Sequence, residues 1–496
     1  MRAGPNIWAK YVYCVLAQIC IMRVGPNTMH HACRFKRCFV SLGPMINVAY
    51  GCGMRFAAVD AAFSKHTVYR DGQLHLLTTR DGNNQTIALA WAICETESSA
   101  TYEYFATKCH EAGVGRYLSA QAIIFSDRQK GIKNFHAKFP AKIGRCFKHI
   151  IENCQKHVRG SGQSFTQSLA WALQRAPTEA EYKRVLAKLT LECPRAARYF
   201  HAITPHVEVY QYAMNAEGIA SHSFKTSQIV ESLNGVFLEA REHAPYRLNA
   251  EILKWAGEQI NKRLEKITKW IAAGHLLTKY AYDLFGVQVS TMWPNWPNWP
   301  NLAHPSSCWP NLAQSGPTAT LILTCLLVGP CTQVEVAKRA GQEVVSSGDG
   351  VYYVEDVHTA AAKRHEVLLS RKECCNYVVM HKQPCRHMVC VFHKCGLLGG
   401  SRRRTEQTIR EFWPKYFHTD NYQKMYQNIR LRQPEVYTGK YLGPHDLIVL
   451  RPRQSKAPRG RKRKARFTWK KTTRATVAER MGAITHAHYE SVLEFF

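Results

Sequence analysis

The sequence is poor in acidic residues and has no long uninterrupted apolar run. Of its 496 residues only 36 are Asp or Glu, against 67 Lys or Arg, which leaves a formal net charge of +31. An excess of this size is typical of a protein that binds a polyanion, either nucleic acid or an anionic membrane surface. The most apolar stretches, residues 7–22 and 319–329, are shorter or more interrupted than the roughly 18–20 apolar residues of a membrane-spanning helix. We therefore expect no membrane partner.

Cysteine is also too sparse for a disulfide scaffold. Eighteen cysteines in a chain of this length fall well below the density of small secreted domains. Several of them cluster with histidines over residues 374–395, which indicates thiol or metal chemistry in a reducing compartment. The hydrophobic fraction of 46% and the aromatic fraction of 11% are those of a globular protein with at least one full core.

Short apolar segments separated by turn signals predict an α/β domain. A three-strand meander is predicted at residues 56–63, 73–79 and 86–94, with a turn at Asp81-Gly82-Asn83-Asn84. A further short buried strand is predicted at residues 122–125 and another extended segment at 143–146. These segments give a mixed sheet as the expected centre of the domain.

The spacing of apolar residues predicts the helices. Ser98 or Ser99 would cap the first of them, and the region 147–201 has a helical pattern of mixed charge. Residues 253–271 show the clearest recurrence at steps of three or four. The individual helices are predicted at 99–112, 130–139, 229–242 and 253–271.

Two acidic residues have the same local setting. Asp60 and Asp127 each follow a short apolar strand segment, and the carboxyl ends of parallel strands meet at one edge of an α/β sheet. Two converging carboxylates repel each other unless they are protonated or bridged by cations, and hard oxygen ligands favour Mg²⁺ or Mn²⁺. Glu231, near the start of a predicted helix, is the best-placed third carboxylate. The alternative is structural: turn or cap roles for the aspartates, and a helix-dipole role for Glu231.

Five motifs occur in one order along residues 35–285. They are Ala58-Val59-Asp60-Ala61-Ala62-Phe63, the turn Asp81-Gly82-Asn83-Asn84-Gln85, Phe125-Ser126-Asp127-Arg128-Gln129-Lys130-Gly131, Cys146-Phe147-Lys148-His149, and residues 226–234, Thr-Ser-Gln-Ile-Val-Glu-Ser-Leu-Asn. Together they resemble the Mutator-like element (MULE) transposases.

The resemblance implies an RNase H-like fold, in which a mixed sheet is flanked by helices and a helical insertion separates Asp127 from Glu231. It also implies that Asp60, Asp127 and Glu231 are catalytic and bind Mg²⁺ or Mn²⁺ in a two-metal-ion DDE transposase, which nicks transposon ends and joins them to target DNA. Gln228 stands where the family usually has Asn, a departure that bears on the positioning of Glu231.

Cys146 and His149 have two interpretations. Their spacing puts both on one helical turn, where they would support the site by helping to hold a metal ion or a target-strand phosphate, as the resemblance implies. The alternative is a buried cysteine beside a histidine that caps the helix.

A second group of ligand-type residues lies at Cys374, Cys375, Cys385 and His387. Three thiols and one imidazole match the ligand number and type that Zn²⁺ prefers. The segment resembles the SWIM zinc finger, a C-x-C-x(n)-C-x-H module found after MULE transposase cores. Glu373 occupies the position of the first cysteine, so the first two cysteines are adjacent. Two alternatives remain. The metal ion would recruit Glu373, Cys390 or His393 as a ligand instead, or the segment is a decayed finger that holds no metal.

The C-terminal half contains a linker and a basic run. The triplet Trp-Pro-Asn repeats from Trp293 onward, and prolines at this period exclude helix and central strand. From Arg451 to Thr476 there are twelve Lys or Arg and no acid. This composition predicts phosphate binding and serves equally as a nuclear localisation signal. The residues chosen for DNA contact are Arg459, Arg461, Lys462, Arg463 and Lys464.

These features divide the chain into five regions. They are an N-terminal segment of unknown role (1–50), the catalytic domain (51–285, with its helical insertion at about 150–220), a linker with Trp-Pro-Asn repeats (286–350), the SWIM-type finger (351–398) and a basic C-terminal region (399–496).

The leading hypothesis is a nuclear, homo-oligomeric transposase that acts on double-stranded DNA, both transposon ends and target, with Mg²⁺ or Mn²⁺ in its catalytic site and Zn²⁺ in its finger. The alternative is a decayed or domesticated relative that binds zinc and DNA and regulates without cleaving.

Overall fold

The computed structural model describes residues 14–19, 35–66, 69, 71–128, 131–159, 164–292, 342–348, 350–356, 364–398, 401–429 and 431. The Trp-Pro-Asn repeats and the basic run at 451–476 lie outside these residues, so the predictions made for them stay predictions. None of the described helices combines the length and the apolar character that crossing a lipid bilayer requires.

Seven strands form one mixed sheet in the spatial order β1-β2-β5-β4-β3-β6-β7. The strands β3, β4 and β5 pair antiparallel as a meander, which confirms the sequence-based prediction, whereas β6 runs parallel to β3 and β7 runs parallel to β6. Their bounds are β1 Cys14–Ile19, β2 Phe35–Ser41, β3 Gly53–Phe63, β4 Gln73–Asp81, β5 Thr86–Cys94, β6 Ile123–Ser126 and β7 Lys142–Arg145.

The turn between β4 and β5 has the chemistry that its sequence predicts. The Asp81 carboxylate oxygen Oδ1 accepts hydrogen bonds from the backbone N–H groups of Asn83 at 3.0 Å and Gln85 at 2.8 Å. Asn84 takes a left-handed conformation, with φ of 56°, which Asn tolerates better than most residues. These features reverse the chain and set the register of the meander.

The sheet is covered on both faces. Successive side chains of a strand point to opposite faces, and in β4 and β5 nearly every residue is buried. Fully buried strands of this kind require packing partners on both sides, and the described helices supply them. The predicted α/β class with a mixed sheet flanked by helices is therefore correct.

Fifteen α-helices occur within the described residues. They are α1 Gly43–Cys52, α2 Ser99–Glu111, α3 Ile132–His136, α4 Phe147–Arg159, α5 Gln167–Arg175, α6 Glu179–Glu192, α7 Pro194–His201, α8 Gln211–Ala216, α9 Gln228–Val236, α10 Pro245–Ala272, α11 Lys279–Met292, α12 Asn376–His381, α13 Arg386–Lys394, α14 Arg402–Phe412 and α15 Thr419–Tyr426.

The first helix predicted from periodicity agrees closely with the structure, and two others are shorter than expected. Ser98 caps α2 in a reciprocal capping box with Thr101, as one of the two predicted caps. The helix expected over 130–139 is only α3. The helix expected over 229–242 ends at Val236, whose side chain is 58% exposed. The predicted helix was therefore too long at its C-terminal end, where a turn and a short 3-10 helix over Ala240–Glu242 follow.

The helices α4 to α8 enclose a core of their own. Phe147, Phe200 and Tyr210 are fully buried in this cluster, separate from the larger cluster that surrounds the sheet. These helices fall between β7 and α9, where the sequence predicts a helical insertion. They therefore form a compact helical insertion between β7 and α9, the helix that carries Glu231.

Segments on both sides of the predicted catalytic region join its core. Residues of β2 and α1 are buried in the sheet cluster, so the core begins before residue 51. Near the other end, the hydroxyls of Tyr422 and Tyr426 each donate a 2.8 Å hydrogen bond to Asp81 Oδ2. Helix α15 is thereby fixed to the β4–β5 turn.

A small three-stranded sheet accompanies the Cys/His segment. Its antiparallel strands are β8 Gln342–Gly348, β9 Val351–Asp356 and β10 Arg364–Leu368, in the order β10-β9-β8. Helix α13 contacts all three strands. This sheet and helix provide the frame that holds Cys374, Cys375, Cys385 and His387.

Candidate functional site

Asp60 and Asp127 lie side by side at one edge of the large sheet. Strands β3 and β6 are parallel, and Ala58 pairs with Phe125. Continuing this register by two residues brings Asp60 opposite Asp127, and a step of two keeps both side chains on the same face as the paired residues. The two predicted carboxylates therefore meet because of strand pairing.

Glu231 approaches them from helix α9, although the carboxylates of Asp60, Asp127 and Glu231 do not form a group of ligand atoms within 4.8 Å of one another among the described residues. This helix packs against β3 and β4, and Glu231 lies in its first turn. Asn234, one turn further on, donates a hydrogen bond from Nδ2 to Asp60 Oδ2 at 3.4 Å. Since residues three apart share a helix face, the face that carries Glu231 is also the face that contacts Asp60.

The electrostatics of Asp60 reflect this crowding. Burial raises its pKa, the negative charge of Asp127 raises it further, and Glu231 adds to the effect, so that the pKa of Asp60 reaches about 7. A hydrogen bond from the backbone of Ala61 and the nearby His149 act in the opposite direction. Three acids that repel one another in a partly buried site are favourable for a divalent cation, which would relieve the repulsion.

One further atom fits a cation site. The side-chain oxygen Oδ1 of Asn234 is buried and, within the described part of the chain, has no hydrogen-bond partner. A buried acceptor without a donor is costly, and an amide oxygen is a ligand type that Mg²⁺ and Mn²⁺ accept, directly or through water. The donor types at this edge, carboxylate and amide oxygens, are those that a hard divalent ion prefers.

Glu231 is held by two neighbours. Lys148 Nζ lies 2.9 Å from Glu231 Oε2, and the Ser227 hydroxyl donates to Glu231 Oε1 at 3.1 Å. Burial alone would raise the pKa of Glu231, but the hydrogen bond and the charge of Lys148, together with Ser227 and His149, bring the pKa below its ordinary value. The carboxylate is therefore ionised at neutral pH.

Cys146 and His149 lie next to Glu231. The sulfur of Cys146, a ring nitrogen of His149 and a carboxylate oxygen of Glu231 all lie within 4.8 Å of one another. The grouping adds a carboxylate that the spacing alone did not predict, and both interpretations of Cys146 and His149 stay predictions. The three side chains offer the donor atoms of a transition-metal site.

The pair Cys146 and His149 is polarised. Burial raises the pKa of the Cys146 thiol, but hydrogen bonds with His149 and Ser227 outweigh it, and the net shift is downward. The hydrogen bond with Cys146 raises the pKa of His149 to about 9, against the effect of burial. A positive imidazolium is therefore favoured beside the acids at neutral pH.

The four residues nominated for zinc form one group. The ligand atoms of Cys374, Cys375, Cys385 and His387 all lie within 4.8 Å of one another. His387 Nδ1 lies 3.5 Å from the sulfur of Cys374 and 3.8 Å from that of Cys385. Three sulfurs and one imidazole nitrogen in this geometry could bind a metal ion such as zinc.

Local backbone geometry brings the adjacent cysteines into this group. Lys372 takes a left-handed conformation, with φ of 57°, and Leu368 pairs with Glu373 across the turn that follows β10. Cys375 directly precedes α12 and Cys385 directly precedes α13. Glu373, Cys390 and His393, which the sequence left open as substitutes, are outside the group of four.

The structure also contains features that the sequence analysis missed. Lys148 and Asn234 lie within motifs that were recognised, yet no role was assigned to either. A cleft of about 860 Å³ lined by basic side chains includes Arg128, the residue that follows Asp127. Nothing in the local sequence pattern signals this cleft, because its walls come from separate elements.

No protein-family model matches the chain, and no curated protein matches it.

Proposed function

We propose that this protein is a divalent-metal-dependent DNA phosphoryl transferase of the DDE-transposase type, similar to the MULE transposases. The observation that supports the proposal is the convergence of Asp60, Asp127 and Glu231. Asp60 lies in β3 and Asp127 directly follows the adjacent parallel strand β6, while Glu231 lies on the helix packed on β3. Burial, together with the charges of Asp127 and Glu231, raises the pKa of Asp60 to about 7.

The chemistry follows from the three carboxylates. Asp60, Asp127 and Glu231 would hold Mg²⁺ or Mn²⁺, with Asn234 beside them. Such ions, when bound, supply an activated oxygen nucleophile and stabilise the leaving oxygen of a phosphodiester. Little covalent chemistry falls to the side chains themselves, whose task is to orient the ions and the scissile phosphate. Nicking and strand transfer use the same arrangement with different nucleophiles, water and a 3′-hydroxyl.

The chain topology supports an RNase H-like description of this domain. A three-strand meander is followed by two strands parallel to its first strand. Asp60 lies within the first strand of that set, and Asp127 directly follows the fourth. The helices α4 to α8 come between the second and third acids, as the family resemblance implies for the insertion.

The Cys/His group supports a second part of the proposal. A zinc ion held by Cys374, Cys375, Cys385 and His387 would organise the loops between β10 and α13 as a SWIM-type module. We propose double-stranded DNA as the partner, a nuclear location and a homo-oligomeric state. The charge of +31 favours the DNA partner, because cations that neutralise phosphates release counterions from the duplex.

The test is a nicking assay on supercoiled plasmid with the purified full chain. The wild type is expected to convert the plasmid to the open-circular form in Mg²⁺ or Mn²⁺ and to stop when EDTA is added. Asp127→Asn, which keeps the side-chain shape, is expected to abolish nicking. The matched control is Asp283→Asn, because Asp283 is exposed on α11 and is paired there with Lys279.

Two outcomes would count against cleavage by this site. Equal nicking by wild type and Asp127→Asn would assign the activity to a contaminant or to another site. Salt-sensitive DNA binding by the wild type without any nicking would favour the alternative, a regulatory DNA-binding protein that does not cleave.

A further inference from the structure

A basic cleft begins directly beside the acidic site. It has a volume of about 860 Å³, and its lining includes five Lys or Arg side chains and one carboxylate. Two of these cations are neighbours in sequence of site residues: Arg128 follows Asp127, and Arg145 precedes Cys146. Consecutive Cα atoms are about 3.8 Å apart, so the chain passes directly from these two wall residues to Asp127 and Cys146, although none of the three acids lines the cleft itself. The five cations are Arg128, Lys133, Arg145, Arg195 and Arg198.

Most of this positive charge is not neutralised within the protein. Arg145 forms a 2.7 Å ion pair with Glu208, and both side chains are largely buried, so this pair belongs to the wall of the cleft. Lys133, Arg195 and Arg198 make no ion pair with any other described residue, and Arg128 donates at 2.6 Å to a neutral hydroxyl, that of Tyr199. Uncompensated cations around one concave surface attract an anion and raise its local concentration.

Aromatic side chains accompany the cations. The guanidinium of Arg128 lies over the ring of Tyr199, 5.9 Å from its centroid, and the rings of His157 and Tyr199 are 5.7 Å apart between centroids. Tyr199 is half-buried and His157 is exposed. Aromatic rings that alternate with cations are typical of surfaces on which bases stack while the phosphates meet the charges.

We propose that this cleft binds the sugar–phosphate backbone of the DNA strand that leads into the acidic site, with Arg195 and Arg198 contacting phosphates and Tyr199 stacking on a base. The inference rests on the proposed function in taking DNA as the substrate. The cleft lies between the sheet edge and helix α7, so the helical insertion acts as the second wall of a strand-binding channel. A single inorganic phosphate would fill only a small part of this volume.

The test compares two double charge reversals in the full chain. Arg195→Glu/Arg198→Glu changes the cleft, whereas Lys188→Glu/Lys254→Glu changes two exposed lysines on α6 and α10 that do not line it. Both variants change the net charge equally, so a general loss of attraction for DNA affects them alike. Circular dichroism and a thermal melt establish that each variant is folded.

Two measurements are made in EDTA, so that neither depends on cleavage. One is the affinity for a short single-stranded oligonucleotide as a function of salt. The other is ultraviolet crosslinking of a bromodeoxyuridine-substituted oligonucleotide, with the adduct located by mass spectrometry. We expect an adduct at Tyr199 or His157 in the wild type and in the control. In the cleft variant we expect the adduct to disappear and the affinity to fall about tenfold. The slope of log K against log salt should also decrease by roughly 1.4, since each phosphate contact on a single strand contributes about 0.7.

Three results would overturn the inference. The first is an equal loss of oligonucleotide affinity in both variants, and the second is an adduct confined to residues outside the cleft. The third is loss of the adduct when inorganic phosphate is added at an ionic strength at which chloride leaves the adduct intact. The last result would identify a site for a small anion instead.

Failure of the proposed function is recognised separately. Adducts at Tyr199 without metal-dependent nicking would support the channel and reject the transferase activity. Nicking that survives in the cleft variant, with adducts elsewhere, would reject the channel and leave the transferase activity in place.

Discussion

The ammonium group of Lys148 lies 2.9 Å from the carboxylate oxygen Oε2 of Glu231. Lys148 is exposed and Glu231 is half-buried, so a cation of the protein already neutralises the third acid of the proposed metal site. The same pairing raises the pKa of Lys148 above its ordinary value. A divalent ion that binds Glu231 must compete with this ammonium group.

Removal of that competitor should strengthen metal binding. For Lys148→Met we expect the Mn²⁺ affinity, measured by titration calorimetry, to rise by up to about fivefold, because a partly exposed ion pair contributes at most about 1 kcal/mol. Lys183→Met is the matched control, since Lys183 pairs with Glu179 on α6, away from the acids. A lower affinity in Lys148→Met would show that Lys148 supports the site instead of competing with the metal.

The raised pKa of Asp60 predicts a pH-dependent stability. A carboxyl whose folded-state pKa lies above its unfolded value binds its proton more tightly when folded, so ionisation destabilises the protein as pH rises from about 4 to about 7. Asp60→Asn removes this cost. In metal-free buffer at about pH 8, we expect the free energy of unfolding of Asp60→Asn to exceed that of the wild type by on the order of 2 kcal/mol, a value reduced for solvent screening of the partly exposed group. At about pH 4 we expect little difference between the two proteins.

Urea denaturation at the two pH values measures this effect. The control Asp283→Asn should show no gain at pH 8, because its carboxylate is exposed and paired with Lys279. The addition of Mg²⁺ should narrow the difference between wild type and Asp60→Asn. A gain of the same size at both pH values would contradict the raised pKa as its cause.

The bonds between α15 and the β4–β5 turn predict a stability effect far from the acids. Tyr422 and Tyr426 both donate to the buried carboxylate of Asp81, and Arg263 lies 3.7 Å from the same oxygen. Tyr422→Phe is expected to cost about 1.5–3 kcal/mol, the usual range for a hydrogen bond to a charged group. Asp81→Ala should cost about 3–5 kcal/mol, because it leaves the charge of Arg263 buried without a carboxylate.

A different tyrosine provides the control for this prediction. The hydroxyl of Tyr282 is buried and has no hydrogen-bond partner among the described residues, so Tyr282→Phe should be neutral or slightly stabilising. Denaturation curves for the three variants, compared with that of the wild type, measure these changes in the free energy of unfolding. Equal losses for Tyr422→Phe and Tyr282→Phe would indicate that the α15 contact contributes nothing specific.

The Cys/His group predicts a metal content. We expect about one zinc ion per chain by elemental analysis, in line with a four-ligand structural site, and its loss in Cys385→Ser. Cys395→Ser is the control, since Cys395 follows α13 but is not one of the four clustered ligands. Zinc retained by Cys385→Ser and lost by Cys395→Ser would mean that the ligand set is different.

Much of the local structure could be predicted from the residues themselves. Runs of apolar residues predicted the strands around Asp60 and Asp127, and a recurrence at three and four predicted α10, because such patterns report burial along one element. The spacing of Cys374, Cys375, Cys385 and His387 predicted their grouping, since the first and last lie only 13 positions apart. The same reasoning extended α9 past Val236, because the apolar residues that follow, such as Phe237, are buried from a turn and not from a helix.

The sequence by itself determined the elements, the excess of positive charge and the residue types that chemistry requires. Only the tertiary structure decided which of them meet. Pairing of β3 with β6 brings Asp60 to Asp127, and packing of α9 brings Glu231 and Asn234 to them across more than 100 residues. The same folding puts Lys148 against Glu231 and assembles the basic cleft from α3, β7, α4 and α7. Contacts of this range depend on how whole elements pack, and neither periodicity nor spacing within one element carries that information.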